Sequence, residues 1–131
     1  MPCKRICDLP AVEVPAPHRR DLRTMYTPGE DPELVGDLTV FHLTIFPHSS
    51  SDHHTHDISG EIMYVMAGHG EGTLGSETFP LEPDTAFYAP PAVPHQVRNT
   101  SDQSMKLVVI FAPAVGTVYA QAKARQIKVD S

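Results

Sequence analysis

Residues 54–68 read His54-Thr55-His56-Asp57-Ile58-Ser59-Gly60-Glu61-Ile62-Met63-Tyr64-Val65-Met66-Ala67-Gly68. His54 and His56 are two apart, so on an extended chain their side chains leave the same face and reach one ion together. The same parity turns His53 away from that face. Past the turn-prone pair Ser59-Gly60, Glu61 opens an apolar run that reads as a strand. A turn between the two segments brings its carboxylate back beside the imidazoles, so the stretch reads as most of a metal site.

Around it, thirteen prolines and eight glycines cut the chain into short pieces, which argues against long helices and for strands joined by turns. Leu38 to Phe46 is rich in β-branched and aromatic residues and reads as a strand ended by Pro47; the polar loop His48 to Asp52 then leads into the histidines. Further strands are expected over Glu61 to Ala67, Glu71 to Leu74, Thr78 to Leu81, Thr85 to Ala89, His95 to Asn99 and Lys106 to Ala112, with a hairpin turn at Gly75-Ser76. The last of these is nearly all apolar and is expected to be buried on both faces. Parity places Glu61, Met63 and Val65 inside, with Phe87, Ala89 and Val97, and turns Tyr64 and Tyr88 outward. About eight short strands at this spacing make an all-β sandwich or barrel. Residues 1–35, rich in proline from residue 8, read as an N-terminal extended arm or edge segment, residues 36–115 as the barrel core, and residues 116–131 as a tail with a short C-terminal helix.

The 131 residues, 40% of them hydrophobic, suit one domain with its own core. Ten basic against sixteen acidic residues give a formal charge of −6 with no basic cluster, so the chain carries no electrostatic footprint for nucleic acid or an anionic membrane. No run approaches the roughly 18 apolar residues of a membrane helix. The first ten residues lack the apolar stretch of a secretory signal, and a cytoplasmic location is expected. Cys3 and Cys7 read as ordinary free thiols.

A fourth ligand comes from His95, after the turn Pro90-Pro91-Ala92-Val93-Pro94. His54, His56, Glu61 and His95 offer three imidazoles and a carboxylate. That set suits one divalent transition metal (Fe, Mn, Ni or Zn) and lacks the thiolates of a structural zinc site. Around an octahedral ion it leaves two positions open for substrate. His18, His42 and His69 fit no ligand spacing and read as surface or hydrogen-bonded residues.

The pattern resembles the cupin superfamily. Its first motif runs Gly, five residues, His-x-His, three or four residues, Glu, six residues, Gly, and His54, His56, Glu61 and Gly68 keep that spacing. Its second motif ends Pro-x-Gly, two residues, His, three residues, Asn, matched by Pro90, His95 and Asn99. Three family glycines are replaced, by His48, Asp84 and Ala92. His and Asp tolerate positive φ better than most residues, whereas Ala92 bears on the shape of the loop before His95. The resemblance implies a single-domain double-stranded β-helix, a jelly-roll barrel with the metal in its mouth and commonly a homodimeric assembly.

The function expected from this reading is a metal-dependent enzyme acting on a small oxygen-bearing molecule: a carboxylate, diketone, enol or sugar acid. With Fe(II) a dioxygenase is expected; with Mn(II), Ni(II) or Zn(II), an isomerase, lyase, decarboxylase or cyclase. Glu61, His48 and His53 are the candidate catalytic proton carriers, Glu61 doubling as a ligand. The competing reading is a non-catalytic module that binds a small molecule or sugar.

Overall fold

The computed structural model describes residues 3–118 and builds nine strands among them. They are β1 (Val12–Val14), β2 (Arg20–Tyr26), β3 (Thr39–Ile45), β4 (Gly60–Ala67), β5 (Gly70–Leu74), β6 (Glu77–Leu81), β7 (Ala86–Ala89), β8 (His95–Arg98) and β9 (Met105–Ala112). All pairings are antiparallel. One sheet has the order β1-β2-β3-β9-β4-β7, the other β6-β5-β8. The architecture is an all-β double sheet with the core between its layers, as expected.

Alternation explains which residues meet in that core. Met63 and Val65 of β4, Phe41, Leu43 and Ile45 of β3, and Val97 of β8 are buried. Phe41 and Phe111 meet edge to face at 5.6 Å between centroids, a favourable geometry for two ring quadrupoles. Phe79 of β6 and Phe87 of β7 meet likewise at 5.0 Å and tie the two sheets together. Tyr64 and Tyr88 face outward, as parity requires. The expectation for the last strand needs correction: β9 alternates, with Met105, Leu107, Val109 and Phe111 inside and the even-numbered residues on the outer face. Its apolar Val108 and Ile110 lie on that outer face and are only half-buried.

Residues 12–26, read above as arm or edge segment, contribute β1 and β2, which pair in register with one another and with β3. Their pattern hid them, because the inward face of β2 begins with a charged residue, Arg20, before Leu22. Ahead of them a 3-10 turn, Ile6–Asp8, lies against the sheet's outer side, where the Arg23 guanidinium donates to the carbonyls of Ile6 and Leu9. His42, which pairs with Arg23 in the sheet, is buried, and desolvation together with the nearby Lys106 and Arg23 charges lowers its pKa. The expected C-terminal helix lies, beyond residue 118, outside the described residues.

The loop after β3 runs back along β8. Ser51 N–H donates to the Val97 carbonyl and Asn99 N–H to that of Ser49, while His54 and His95 exchange both backbone hydrogen bonds. Two isolated bridges, Ser50 with Arg98 and His54 with His95, enclose four steps on the loop and three on β8. The loop therefore carries one extra residue, a bulge of the kind that re-aims side chains. Buried Asn99 anchors its start: the amide donates to the carbonyls of Ile45, Phe46 and Gln103, and its oxygen accepts from Ser101.

His48, Asp84 and Ala92, the three replacements for family glycines, all adopt positive φ, at 57°, 66° and 65°. The loop before His95 thus keeps the turn that glycine would make, and Ala92 N–H donates to the His56 carbonyl at 2.7 Å. A left-handed non-glycine residue costs about 1–2 kcal/mol, and glycine's extra freedom in the unfolded chain gives back about 0.4–1 kcal/mol of that. Ala92→Gly is therefore expected to raise stability by about 0.5–1 kcal/mol, read as an upward shift of the urea midpoint; a fall in the midpoint would refute the strain.

Candidate metal centre

The structure brings His54, His56, Glu61 and His95 together, with one potential ligand atom from each lying within 4.8 Å of all the others. Each arrives by a different device. His54 sits opposite His95 in the doubly bonded backbone pair, so both side chains leave one face. His56 follows two residues on, its backbone tied to the turn at Ala92 and its ring edge-on to Phe111 at 4.8 Å. Glu61, the second residue of β4, lies opposite Ala89 and Phe111 and faces inward. The two histidines do not lie on a regular strand as expected, but their alternation survives: His53 is exposed while His54 and His56 turn in.

Hydrogen bonding fixes which nitrogens are presented. His54 Nδ1 lies 2.6 Å from the Asp52 carbonyl oxygen and His95 Nδ1 lies 3.0 Å from that of Val93. A carbonyl only accepts, so each Nδ1 carries the proton and each Nε2 points at the cluster. This backbone orientation of the ring is characteristic of metal-ligating histidine. His54 Nε2 is 3.1 Å from His56 Nε2, and Glu61 Oε1 is 2.7 Å from His95 Nε2 and 3.4 Å from His56 Nε2. Atoms bound at about 2.1 Å to one ion sit about 3.0 Å apart when adjacent and about 4.2 Å apart when opposite. Small side-chain movements close this set on an ion, and the donors fit a divalent first-row metal.

The charges are arranged accordingly. Burial pulls the His54 pKa down to about 4, against the bond to the Asp52 carbonyl. Its lone pair is therefore available at neutral pH. Burial alone would raise the Glu61 carboxyl, but hydrogen bonds from His56 and His95, with their charges, hold it at about 2. Burial opposes the His95 cation, yet the Glu61 carboxylate outweighs it and raises that pKa.

The cluster opens on a cavity of about 50 Å³ lined by Leu22, Phe41, Leu43, Val109 and Phe111, with Ser51 and one cation, Arg20. Sequence reading missed Arg20 because it stands in the charge-dense run Arg19-Arg20-Asp21, which looks solvated; only the two-residue step to Leu22 hinted at an inward position. The other two catalytic candidates lie outside the cluster. His48 is exposed in the turn after β3 and pairs with Asp102 at 2.6 Å, and His53 points to solvent. Neither is placed to carry protons to this cavity. His18 bonds Ser50, and His69 is exposed.

This arrangement accords with comparison against known proteins. The cupin domain family model matches residues 41–111. The chain belongs to the cupin family. It is similar to the polyketide synthase CurC of Streptomyces cyaneus, at 33% identity over 83% of this chain and 70% of that protein. It also resembles the H2HPP isomerase of Bacillus subtilis, at 29% identity over 76% of this chain, which spans 47% of that protein. Among solved structures, a predicted oxalate decarboxylase from Thermotoga maritima superposes with a TM-score of 0.73 at 14% identity, over 83% of this chain and 96% of the other. That likeness concerns the cupin fold.

The His54→Ala, His56→Ala double variant removes two of the four donors from a fold that the ion does not hold together. It is expected to keep the far-ultraviolet circular dichroism of the parent and to lose stoichiometric Co(II) uptake. Retained uptake, read from the visible absorption of Co(II), would refute the ligand assignment.

Proposed function

We propose that this cupin is a metal-dependent enzyme that converts a compact oxygen-bearing molecule, a carboxylate, diketone, enol or sugar acid, without net oxidation, as an isomerase, lyase, decarboxylase or cyclase. The observation that carries this reading is the convergence of His54, His56, Glu61 and His95 on one point, with the first three of them lining a small cavity whose remaining walls are largely apolar. Similarity to a protein named an isomerase supports the non-oxidative branch.

A bound divalent ion supplies Lewis acidity, which lowers the pKa of a chelated carbonyl compound and stabilises negative charge on its oxygen. The chain's own residues prepare for that. Leu22, Phe41, Leu43, Val109 and Phe111 exclude water and strengthen electrostatic interactions inside the cavity. The Asp52 and Val93 carbonyls hold two imidazoles in the donor tautomer. Glu61, held at about 2, is a weak base, so its role is that of a ligand and of a counter-charge to the histidines.

The test loads the protein separately with Mn(II), Ni(II), Zn(II) and, without air, Fe(II), and incubates each form with acetylacetone, oxaloacetate and 2-oxo acids in D2O. Deuterium exchange at the carbon beside the carbonyl, or rearranged or decarboxylated product, is expected above the rate of the His54→Ala, His56→Ala variant and without O2 uptake. Oxygen consumption by the Fe(II) form would replace the reading with a dioxygenase. Saturable binding with no turnover of any probe would replace it with a non-catalytic module.

We further propose that two copies associate through the outer face of the six-stranded sheet. Ile62, Tyr64, Met66 and Tyr88 are all exposed there, and Ile62 pairs with Tyr88 on one side and Ile110 on the other, making a continuous apolar surface. Light scattering is expected to give twice the chain mass of 14.4 kDa, and Tyr88→Lys to shift it toward the monomer; a monomeric parent would overturn the dimer. Exposed free Cys3 and Cys7 accord with a reducing, cytoplasmic setting. Among the described residues no helix is long and apolar enough to cross a membrane.

A further inference from the structure

We infer that Ser50 and His18 form a second reactive centre, a nucleophilic hydroxyl and its base with the Asp52 carboxylate behind them, that hydrolyses short esters. It uses none of the four clustered side chains and goes beyond the proposed function, so either stands without the other. His18 Nδ1 lies 2.9 Å from Ser50 Oγ, and on the other side of the ring Nε2 lies 3.9 Å from Asp52 Oδ1. That second distance is beyond a hydrogen bond but close enough for the carboxylate to stabilise a cation on the imidazole. The Gln96 side-chain amide carries two N–H donors. It donates to the Ser51 carbonyl at 2.8 Å and lies 3.4 Å from Ser50 Oγ, beside the place where charge develops on an acyl oxygen. Three segments meet to build this group: the residues ahead of β2, the loop after β3, and β8, with Ser50 at the bridge to Arg98 where the bulge begins.

Ser50 also lines a cavity of about 300 Å³ with His48, Ser49, Arg98, Asn99 and Thr100, which shares no lining residue with the cavity beside the metal cluster. A contact that only tied the loop to the start of β2 calls for neither a carboxylate behind the ring nor a cavity at the serine. The walls are polar, so they suit a short acyl group rather than a long aliphatic one. With its own proton on Nε2, His18 accepts the Ser50 hydroxyl proton at Nδ1 as Oγ bonds to the ester carbonyl carbon and the carbonyl π electrons move to oxygen. Collapse of that adduct breaks the bond to the alcohol oxygen, which leaves with the proton from Nδ1. Water then attacks the acylated Ser50 in the same way, releasing the acid and restoring the hydroxyl. No electron is gained or lost overall, and water is the only co-reactant.

The parent, treated with EDTA so that no metal-bound water contributes, is incubated with p-nitrophenyl acetate and p-nitrophenyl hexanoate. A burst of p-nitrophenolate and an acetyl group on Ser50 by peptide mapping are expected, with the acetate preferred about tenfold in kcat/KM. Equal rates for the two esters would overturn the part given to the cavity. Ser50→Ala and His18→Gln are each expected to lower turnover about 10²-fold or more. Asp52→Asn is expected to lower kcat with KM unchanged; an unchanged kcat would strike Asp52 from the centre. Acetylation of Cys3, Cys7 or exposed histidines persists in Ser50→Ala and so is separated from the site. Full turnover in Ser50→Ala or in His18→Gln would overturn the inference and leave the metal-enzyme reading untouched. A fluorophosphonate applied to the parent needs no variant: an adduct on Ser50 is expected, and its absence overturns the inference even where a variant fails to fold.

Discussion

The antiparallel pairing of His54 with His95 is the contact on which the site depends. Forty-one positions apart in sequence, the two residues exchange both backbone hydrogen bonds, and this stitches the loop after β3 onto β8. Without it the two histidine motifs would belong to separate parts of the sandwich. With it, their imidazoles share a face, His56 follows two residues on, and β4 needs only to present its first inward side chain, Glu61. The bulge between the two bridges makes the parity of the loop suit that of β8. Asn99, buried at the end of β8, secures the start of the same loop through carbonyls on both sides of it.

Charge burial at the site is balanced locally. Glu61 and His95 each carry a cost of desolvation; His56 and then His95 compensate it for Glu61, and Glu61 compensates it for His95. Arg20 is met by Asp52 and a backbone carbonyl in the same way. Such groups contribute little net stability, since the desolvation of a buried pair roughly offsets its attraction. Their persistence is better explained by function than by folding, because Leu22, Phe41, Leu43, Val109 and Phe111 around them already supply apolar burial.

Much of this was legible in the chain. The alternation through Glu61, Met63 and Val65, the turn at Gly75-Ser76 and the spacing of His54, His56, Glu61 and His95 are local properties, and they carried the strand pattern and the set of side chains that the fold brings together. What was not legible is what depends on partners distant in sequence. β2 is mostly polar and became a strand by lying between β1 and β3, so Arg20 was hidden with it. The apolar run of β9 suggested two buried faces, whereas the partial exposure of Val108 and Ile110 is a property of the assembled sheets. His48 satisfied a spacing as the replacement for a turn glycine, and its φ of 57° bears out that backbone role while its ring pairs with Asp102.

The four candidate ligands also differ in how firmly they are mounted. Glu61 lies in a strand bonded on both sides, to β7 and β9, whereas His54 and His56 lie on a loop held to β8 and the Ala92 turn by a few backbone hydrogen bonds. Segments with few such bonds open locally at far smaller free energies than the whole fold requires. The lifetime of an ion held there would then be governed by the fraying of one loop rather than by the stability of the barrel. An ion bound in such a mounting would exchange with the surrounding pool while the protein remained folded.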